Sequence, residues 1–297
     1  MLKTSNFPHI KISDQLHINP DYLNHPKISG NKMRKLKYHL VAFEEGDQNQ
    51  ILTFGGAYSN HIAAVAALGK QFNIKTIGVI RGEELSTKIS NNPTLKYADE
   101  CRMKLVFISR DQYRLKESHE YLDTLRKKFG NFYLIPEGGT SALAVKGCEE
   151  ILANNSLDYD YICVSVGTGG TLSGLSNSAY EHQKVLGFPA LKENYLEKTI
   201  GKFTINNNWE LIRDYHFGGF AKINSELISF VNEVYSKHKI PLDPIYTGKM
   251  LFGIFDMIKK GKIKKDKKVL AVHTGGLQGI AGMNQVLTKK KLPLIEI

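Results

Sequence analysis

The chain has 297 residues, of which 42% are hydrophobic and 23% charged, a balance of globular type that excludes wholesale disorder. Lys and Arg number 40 against 29 Asp and Glu, a formal charge of +11, so the surface attracts anions without selecting one. Three cysteines are too few for a disulfide framework and no apolar run nears the roughly 20 residues that span a bilayer, which sets aside a secreted mini-domain, a membrane protein and a fibre and leaves a reducing, cytoplasmic setting as the expectation.

Short β-branched runs alternate with helix-like stretches along the chain. Residues 50–54 read as a strand that runs into Gly55-Gly56, and a helix follows over 59–71. A strand over 74–80, a helix over 92–101, a strand over 104–109 and one charged helix over 111–128 come next, then a strand over 132–136. The second half continues the alternation. A strand over 161–166 enters a glycine-rich turn and a helix near Thr171, and strands follow over 184–188 and 268–273. Strand, turn, helix, strand is the pattern of parallel sheets with crossover connections, so the fold class is α/β with at least two sheet units. Residues 189–220 give no clear assignment.

Ligands of such sheets bind outside the carboxyl ends of the strands. Three turns rich in small residues fall there: 55–60, 167–171 and 274–276. In Gly167-Thr168-Gly169-Gly170-Thr171 the glycines let several N–H groups converge at a helix start, and the threonine hydroxyls add donors, which together make a cradle for a phosphate. No Gly-Lys-Ser/Thr closes it, and Leu172 stands where a dinucleotide fingerprint needs its third glycine. Taken alone it is as readily a tight turn without a ligand. Ser29-Gly30-Asn31-Lys32-Met33-Arg34-Lys35-Leu36 puts three cations at a helix start, where the helix dipole disfavours them unless an anion or a special role offsets them. A lysine nucleophile needs a lowered pKa, which burial and neighbouring cations supply. Singly, Ser59 and Asn60 read first as helix caps, and Tyr246, Thr247 and Thr274 as turn residues.

Together, these segments resemble the 1-aminocyclopropane-1-carboxylate (ACC) deaminase and D-cysteine desulfhydrase family, pyridoxal-phosphate (PLP) enzymes of the tryptophan synthase β-subunit fold. The run 29–36 is similar to that family's cofactor-lysine motif, Gly55-Gly56-Ala57-Tyr58-Ser59-Asn60-His61 to its Gly-Gly…Ser-Asn turn, and 167–171 to its phosphate cup. Leu242-Asp243-Pro244-Ile245-Tyr246-Thr247-Gly248-Lys249 resembles its second active-site segment and His273-Thr274-Gly275-Gly276 its closing turn. The resemblance implies that Lys32 carries PLP and moves the α-proton of the substrate. It implies that Asn60 meets the cofactor's 3′ oxygen, that Ser59 with Asn60 and His61 faces the substrate, and that Gly167, Thr168, Gly169, Gly170 and Thr171 hold the 5′-phosphate. It places Tyr246 beside the ring, with Thr247 and Thr274 as candidates to meet the ring nitrogen. It implies a large domain of residues 1–35 and 141–297, an inserted small domain of 36–140 with PLP between them, and a homodimer.

Within the family, the ACC deaminase branch carries Glu just after the tyrosine, where this chain has Thr247; with Thr274, that favours the D-cysteine desulfhydrase branch. The expected reaction is α,β-elimination from a small amino acid, D-cysteine to pyruvate, ammonia and sulfide. ACC deamination, an L-amino-acid dehydratase or cysteine-synthase activity, a nicotinamide-dependent protein and a basic nucleic-acid-binding protein are the alternatives. Phe220 stands where relatives often have a second tyrosine, so a hydroxyl is missing there. No His, Cys, Asp or Glu spacing suggests a metal. The basic stretches 259–268 and 289–291 lack interleaved aromatics and read as solvated surface, so no nucleic-acid partner is expected.

Overall fold

The computed structural model describes residues 2–152, 156–192 and 195–297. Among the described residues the strands are β1 Ile10–Lys11, β2 Leu16–Asn19, β3 Gln50–Gly55, β4 Lys75–Arg81, β5 Lys104–Ile108, β6 Tyr133–Ile135, β7 Tyr161–Val166, β8 Lys184–Pro189, β9 Trp209–Leu211 and β10 Val269–Val272. The α-helices are α1 Asn31–Glu44, α2 Asn60–Phe72, α3 Pro93–Glu100, α4 Arg110–Arg114, α5 His119–Phe129, α6 Ala142–Glu149, α7 Gly170–Ser178, α8 Leu196–Gly201, α9 Ser225–His238, α10 Thr247–Lys259 and α11 Gly279–Lys289. Two sheets form: a six-stranded one in the order β1-β2-β10-β7-β8-β9, parallel except for β1, and a four-stranded parallel one in the order β5-β4-β3-β6.

The apolar runs that read as strands are buried on both faces, as parallel sheets require. In β7, Ile162, Val164 and Val166 enter one core while Cys163 enters the other; in β10, Leu270 and Val272 separate from Val269 and Ala271 in the same way. The small sheet repeats this, with Ile51 on one side and Leu52 and Phe54 on the other. Each of the Val, Leu, Ile and Phe side chains among them contributes about 1.5–3 kcal/mol by burial, so two filled cores fix the strand register.

The expected helix over 111–128 is two helices, α4 and α5. Ser109 and Gln112 make a capping box that starts α4, and the Ser118 hydroxyl accepts the Tyr121 N–H at 3.3 Å to start α5. The segment without a sequence assignment holds α8 and β9, the latter pairing with β8. Residues 193 and 194 of it lie outside the described residues. Among the described residues no helix is long and apolar enough to cross a membrane.

Helix α1 joins the two halves. Its Leu36, Leu40 and Phe43 share a core with Ile51, Ile62 and Ile135 of the small-sheet side. Its other side packs on α6 so closely that a Cβ at Gly147 would stand 2.0 Å from the Arg34 carbonyl oxygen. Residues 35 and 36, the expected domain boundary, are consecutive positions of this one helix.

Candidate active site

The carboxyl ends of β3, β4, β7 and β10 face a shared cavity of about 850 Å³. Lys32, Ser59, Asn60, His61, Gly167, Thr168, Gly169, Thr171, Tyr246 and Thr274 all line it, although they come from segments up to 242 positions apart (274 − 32).

Lys32 is held at the start of α1. Gly30 there has φ +58°, and a Cβ on it would lie 2.0 Å from the Thr274 carbonyl oxygen. Only glycine allows that approach, which lets the Asn31 N–H donate to the same oxygen at 3.2 Å. The Asn31 side chain then bridges two halves of the site. Its Oδ1 accepts from Lys32 Nζ at 2.9 Å and its Nδ2 donates to Thr171 Oγ1 at 2.8 Å. Burial, and then the charge of Lys35, pull the Lys32 amine from 10.5 down to about 7, while Cys148 and Asp243 oppose them. In ligand-free protein, labelling of Lys32 by a small acylating reagent, followed by peptide mass spectrometry, should therefore rise through about pH 7 and level off above it. A lysine with the ordinary value of 10.5 would keep gaining reactivity up to that pH.

The three cations at this helix start separate in space. Arg34 is buried and pairs with buried Asp21 at 2.7 Å, with further donations to the Glu150 and Ser5 carbonyls and to Asn6 Oδ1. Lys35 turns to the side of the turn 167–171: its Nζ donates to Gly138 O at 3.0 Å and Thr140 Oγ1 at 3.1 Å, and a Cβ at Gly170 would stand 3.3 Å from it. Burial lowers the Lys35 pKa as well. Thr140 shares a hydrogen bond of 2.5 Å with Thr168, so the turn after β6 closes on the turn after β7. Gly170 itself is behind this contact and does not line the cavity.

Ser59 caps α2 by accepting the Ile62 N–H at 3.3 Å and also lines the cavity, so the capping and functional readings coexist. Asn60 points at the closing turn, where a Cβ on Gly276 would meet its Nδ2 at 3.1 Å. His61 is buried in the wall, and its Nε2 is engaged by Thr53 Oγ1 at 2.8 Å. Thr53 donates its own proton to the Ile135 carbonyl, so His61 carries its proton on Nε2, and its Nδ1 has no partner among the described residues. Burial, then the Lys32 and Lys35 charges, hold its pKa well below 6.5. The Tyr246 ring lies over Gly167, 3.4 Å from where a Cβ would be. Burial, then Asp243, raise its phenol pKa, so the hydroxyl stays protonated. Phe220 stands edge-on to it at 6.2 Å between ring centroids. Its loop is tied by Lys249 Nζ, which donates to the His216 and Gly219 carbonyls at 2.9 Å each.

Thr247 departs from expectation. It is fully buried behind the cavity wall, its hydroxyl donates to Asp243 Oδ2 at 2.7 Å, and it does not line the cavity. The cause is Asp243, whose carboxylate also takes the N–H groups of Ile245, Tyr246 and Thr247 and so fixes the start of α10. Thr274, by contrast, lines the cavity, with its Oγ1 3.3 Å from Ser165 Oγ. Asn31, Lys35, Ser165 and Asp243 are site residues that the sequence did not single out. For Asn31 and Asp243 the signal was a turn-forming Asx residue at or a few positions before a helix start.

The family model for pyridoxal-phosphate dependent enzymes matches residues 2–275. The chain belongs to the pyridoxal-phosphate dependent enzyme family. A Pyrococcus horikoshii protein, provisionally named a 1-aminocyclopropane-1-carboxylate deaminase, is 30% identical over 91% of this chain and 86% of its own. The bifunctional D-cysteine desulfhydrase/1-aminocyclopropane-1-carboxylate deaminase of Arabidopsis thaliana, a mitochondrial protein, is 27% identical over 93% of this chain and 75% of its own. A crystal structure described as an ACC deaminase homologue superposes with a TM-score of 0.79 at 29% identity, covering 92% of this chain and 88% of that one. The parallel α/β fold is thus that of the family.

The residues present fit the family's cofactor. An aldehyde needs a neutral amine, and the Lys32 amine is brought to about 7. A phosphate tail needs converging donors and positive charge, and the turn 167–171, the start of α7 and Lys35 supply them on one side of the cavity. Among the described residues no cluster of His, Cys, Asp and Glu could hold a metal ion.

Proposed function

We propose that the protein catalyses PLP-dependent α,β-elimination on a small amino acid, with D-cysteine to pyruvate, ammonia and sulfide as the reference reaction. The observation that carries this reading is the buried Lys32 amine, near-neutral at about 7, tied through Asn31 to the phosphate turn. Bound PLP supplies an electron sink conjugated with the substrate α-carbon. Lys32 is the base that removes the proton at that carbon, close to its own pKa at working pH. The turn 167–171 and Lys35 fix the phosphate end, and Ser59 and Asn60 at the start of α2 receive the substrate carboxylate. Thr274, not Thr247, offers a hydroxyl to the ring nitrogen. A hydroxyl there does not enforce protonation as a carboxylate would, which favours prompt loss of a leaving group from Cβ over cyclopropane opening. Tyr246 Oη has no partner among the described residues and stays protonated, so it is the donor for the departing thiolate.

A panel of D-cysteine, L-cysteine, β-chloro-D-alanine and ACC, with pyruvate and 2-oxobutyrate assayed separately, tests the reading. Pyruvate from the β-substituted D-amino acids is expected. Release of 2-oxobutyrate from ACC in preference to pyruvate from any of them would replace the eliminase by the deaminase. Tyr246→Phe should lower pyruvate release from D-cysteine by about 10²–10⁴-fold, the usual loss of a general acid. β-Chloro-D-alanine, whose chloride needs no proton, should lose much less; equal losses would remove the acid role from Tyr246. The same reading takes residues 1–35 with 141–297 and residues 36–140 as two domains, and the enzyme as a cytoplasmic homodimer.

A further inference from the structure

Among the described residues one cation at the cavity mouth, Arg81, pairs with no carboxylate. Arg81 ends β4, lines the cavity, and stands where a Cβ at Gly56 would be 3.7 Å from its Nη2, over the turn that precedes α2. Its guanidinium lies 5.6 Å from the centroid of Tyr113, and Lys116 Nζ lies 5.3 Å from the same ring. Tyr113 is buried and donates its hydroxyl to Glu137 Oε1 at 2.7 Å, while Lys116 takes Glu137 Oε2 at 3.4 Å. That one carboxylate is therefore committed to Tyr113 and Lys116. The neighbouring Arg110 and Arg114 are paired with Glu84 and Asp111, each at 2.6 Å. Among the described residues Arg81 alone of these four rim cations makes no ion pair. Two like charges share one aromatic ring, an arrangement that an added anion relieves. The carboxyl end of a parallel strand is also where ligands of such sheets bind.

We propose that Arg81, supported by Lys116, forms a second anion subsite that recognises a negatively charged group on the substrate side chain, so that preferred substrates carry a phosphate ester or sulfonate on Cβ. The proposal rests on the eliminase reading and sharpens it. Arg81 and Gly56 line the same cavity as Ser59 and Asn60, which the eliminase reading assigns to the substrate carboxylate. The reaction balances without a redox partner. The α-proton leaves to Lys32, the Cβ–O bond of a phosphoserine breaks with its electron pair going to phosphate, and a Cα–Cβ double bond forms. Water then releases ammonia and pyruvate; for a β-sulfonate the Cβ–S bond breaks and sulfite leaves. Arg81 stabilises the charge on the group as it departs, which a neutral side chain does not offer.

The holoenzyme and its Arg81→Gln and Arg81→Lys variants, assayed on O-phospho-D-serine, D-cysteate and β-chloro-D-alanine, decide this. The ratio of kcat/KM for each anionic substrate to that for β-chloro-D-alanine should fall at least about tenfold in Arg81→Gln, the worth of one charged hydrogen bond, and less in Arg81→Lys. A fall with only one of the two anions identifies phosphate or sulfonate as the group recognised. Equal losses on charged and uncharged substrates, or no loss on either, overturn the subsite. Should no substrate yield pyruvate, the eliminase reading fails, and calorimetry with the unreactive pair D-phosphonoalanine and D-alanine tests the subsite by itself. Tighter binding of the phosphonate, lost in Arg81→Gln, sustains it; no preference for the phosphonate overturns it.

Discussion

Lys32→Ala should give a folded, colourless protein whose pyruvate release is lower by at least about a thousandfold, within the range seen when a catalytic base is removed. Folding should survive because the side chain adds little to the core. The neighbours that anchor α1 are Met33, Leu36, Leu40 and Phe43 on its buried face and the Gly30–Thr274 contact at its start. Removing a buried cation also relieves Lys35, one turn away, of a like charge. Lys35 cannot take over, because its amine is occupied by Gly138 O and Thr140 Oγ1. Visible absorbance, thermal melting and pyruvate release measured on one preparation separate these effects. A variant that stays yellow and keeps its rate would remove Lys32 from the chemistry; a variant that fails to fold would make its role structural.

Arg34→Met should cost about 3–5 kcal/mol of stability, the range for breaking a buried ion pair from one side. Asp21 is fully buried, and Arg34 lies against it through Nε at 2.8 Å and Nη2 at 2.7 Å. The same guanidinium ties the amino-terminal segment, through Ser5 and Asn6, to the end of α6 through Glu150. Burial raises the Asp21 pKa above 3.8, and the Arg34 charge is the strongest influence against that rise. Without Arg34 the folded state holds an Asp21 proton to higher pH than the unfolded state does. Stability of the variant should then fall as pH rises above 3.8, more steeply than in the parent protein. Urea unfolding at several pH values checks both statements. A loss within the range of an exposed pair, about 0–1 kcal/mol, would show that Asp21 finds other partners. Adding Asp21→Leu to Arg34→Met should recover part of the loss, since no buried charge then remains.

The sequence displayed the architecture wherever the signal was local. Glycine-bounded apolar runs such as 50–54 and 161–166 became β3 and β7, because a strand buried on both faces needs such a run and the turn after it needs small residues. Lys32, Ser59, Asn60, Tyr246 and Thr274 do meet in one cavity. The sequence could not apportion a charge cluster. Lys32, Arg34 and Lys35 look alike in a row, but the 3.6-residue helical turn sends them to a cavity, a buried carboxylate and the turns at 138–140 and 167–171. Nor could it orient Thr247, whose direction depends on Asp243 four positions earlier closing back on the start of α10. Contacts between distant segments, such as Asn31 with Thr171 or Arg81 with Tyr113, leave no trace in local pattern. Helix α8 and strand β9 were unreadable because a six-residue helix and a three-residue strand carry too few turns or alternations to show a period.

Three lysines in the described structure have buried amines with lowered pKa values: Lys32, Lys35 and Lys249. Only Lys32 leads from the Asn31 bridge into the cavity without being committed to backbone carbonyls. Reducing the purified yellow protein with borohydride fixes the cofactor to whichever amine carries it, and peptide mass mapping then locates the label. Label on the peptide at Lys32, and on no other lysine, is the expected result. Label on Lys35 or Lys249, or none on Lys32, would contradict the proposed chemistry at its source.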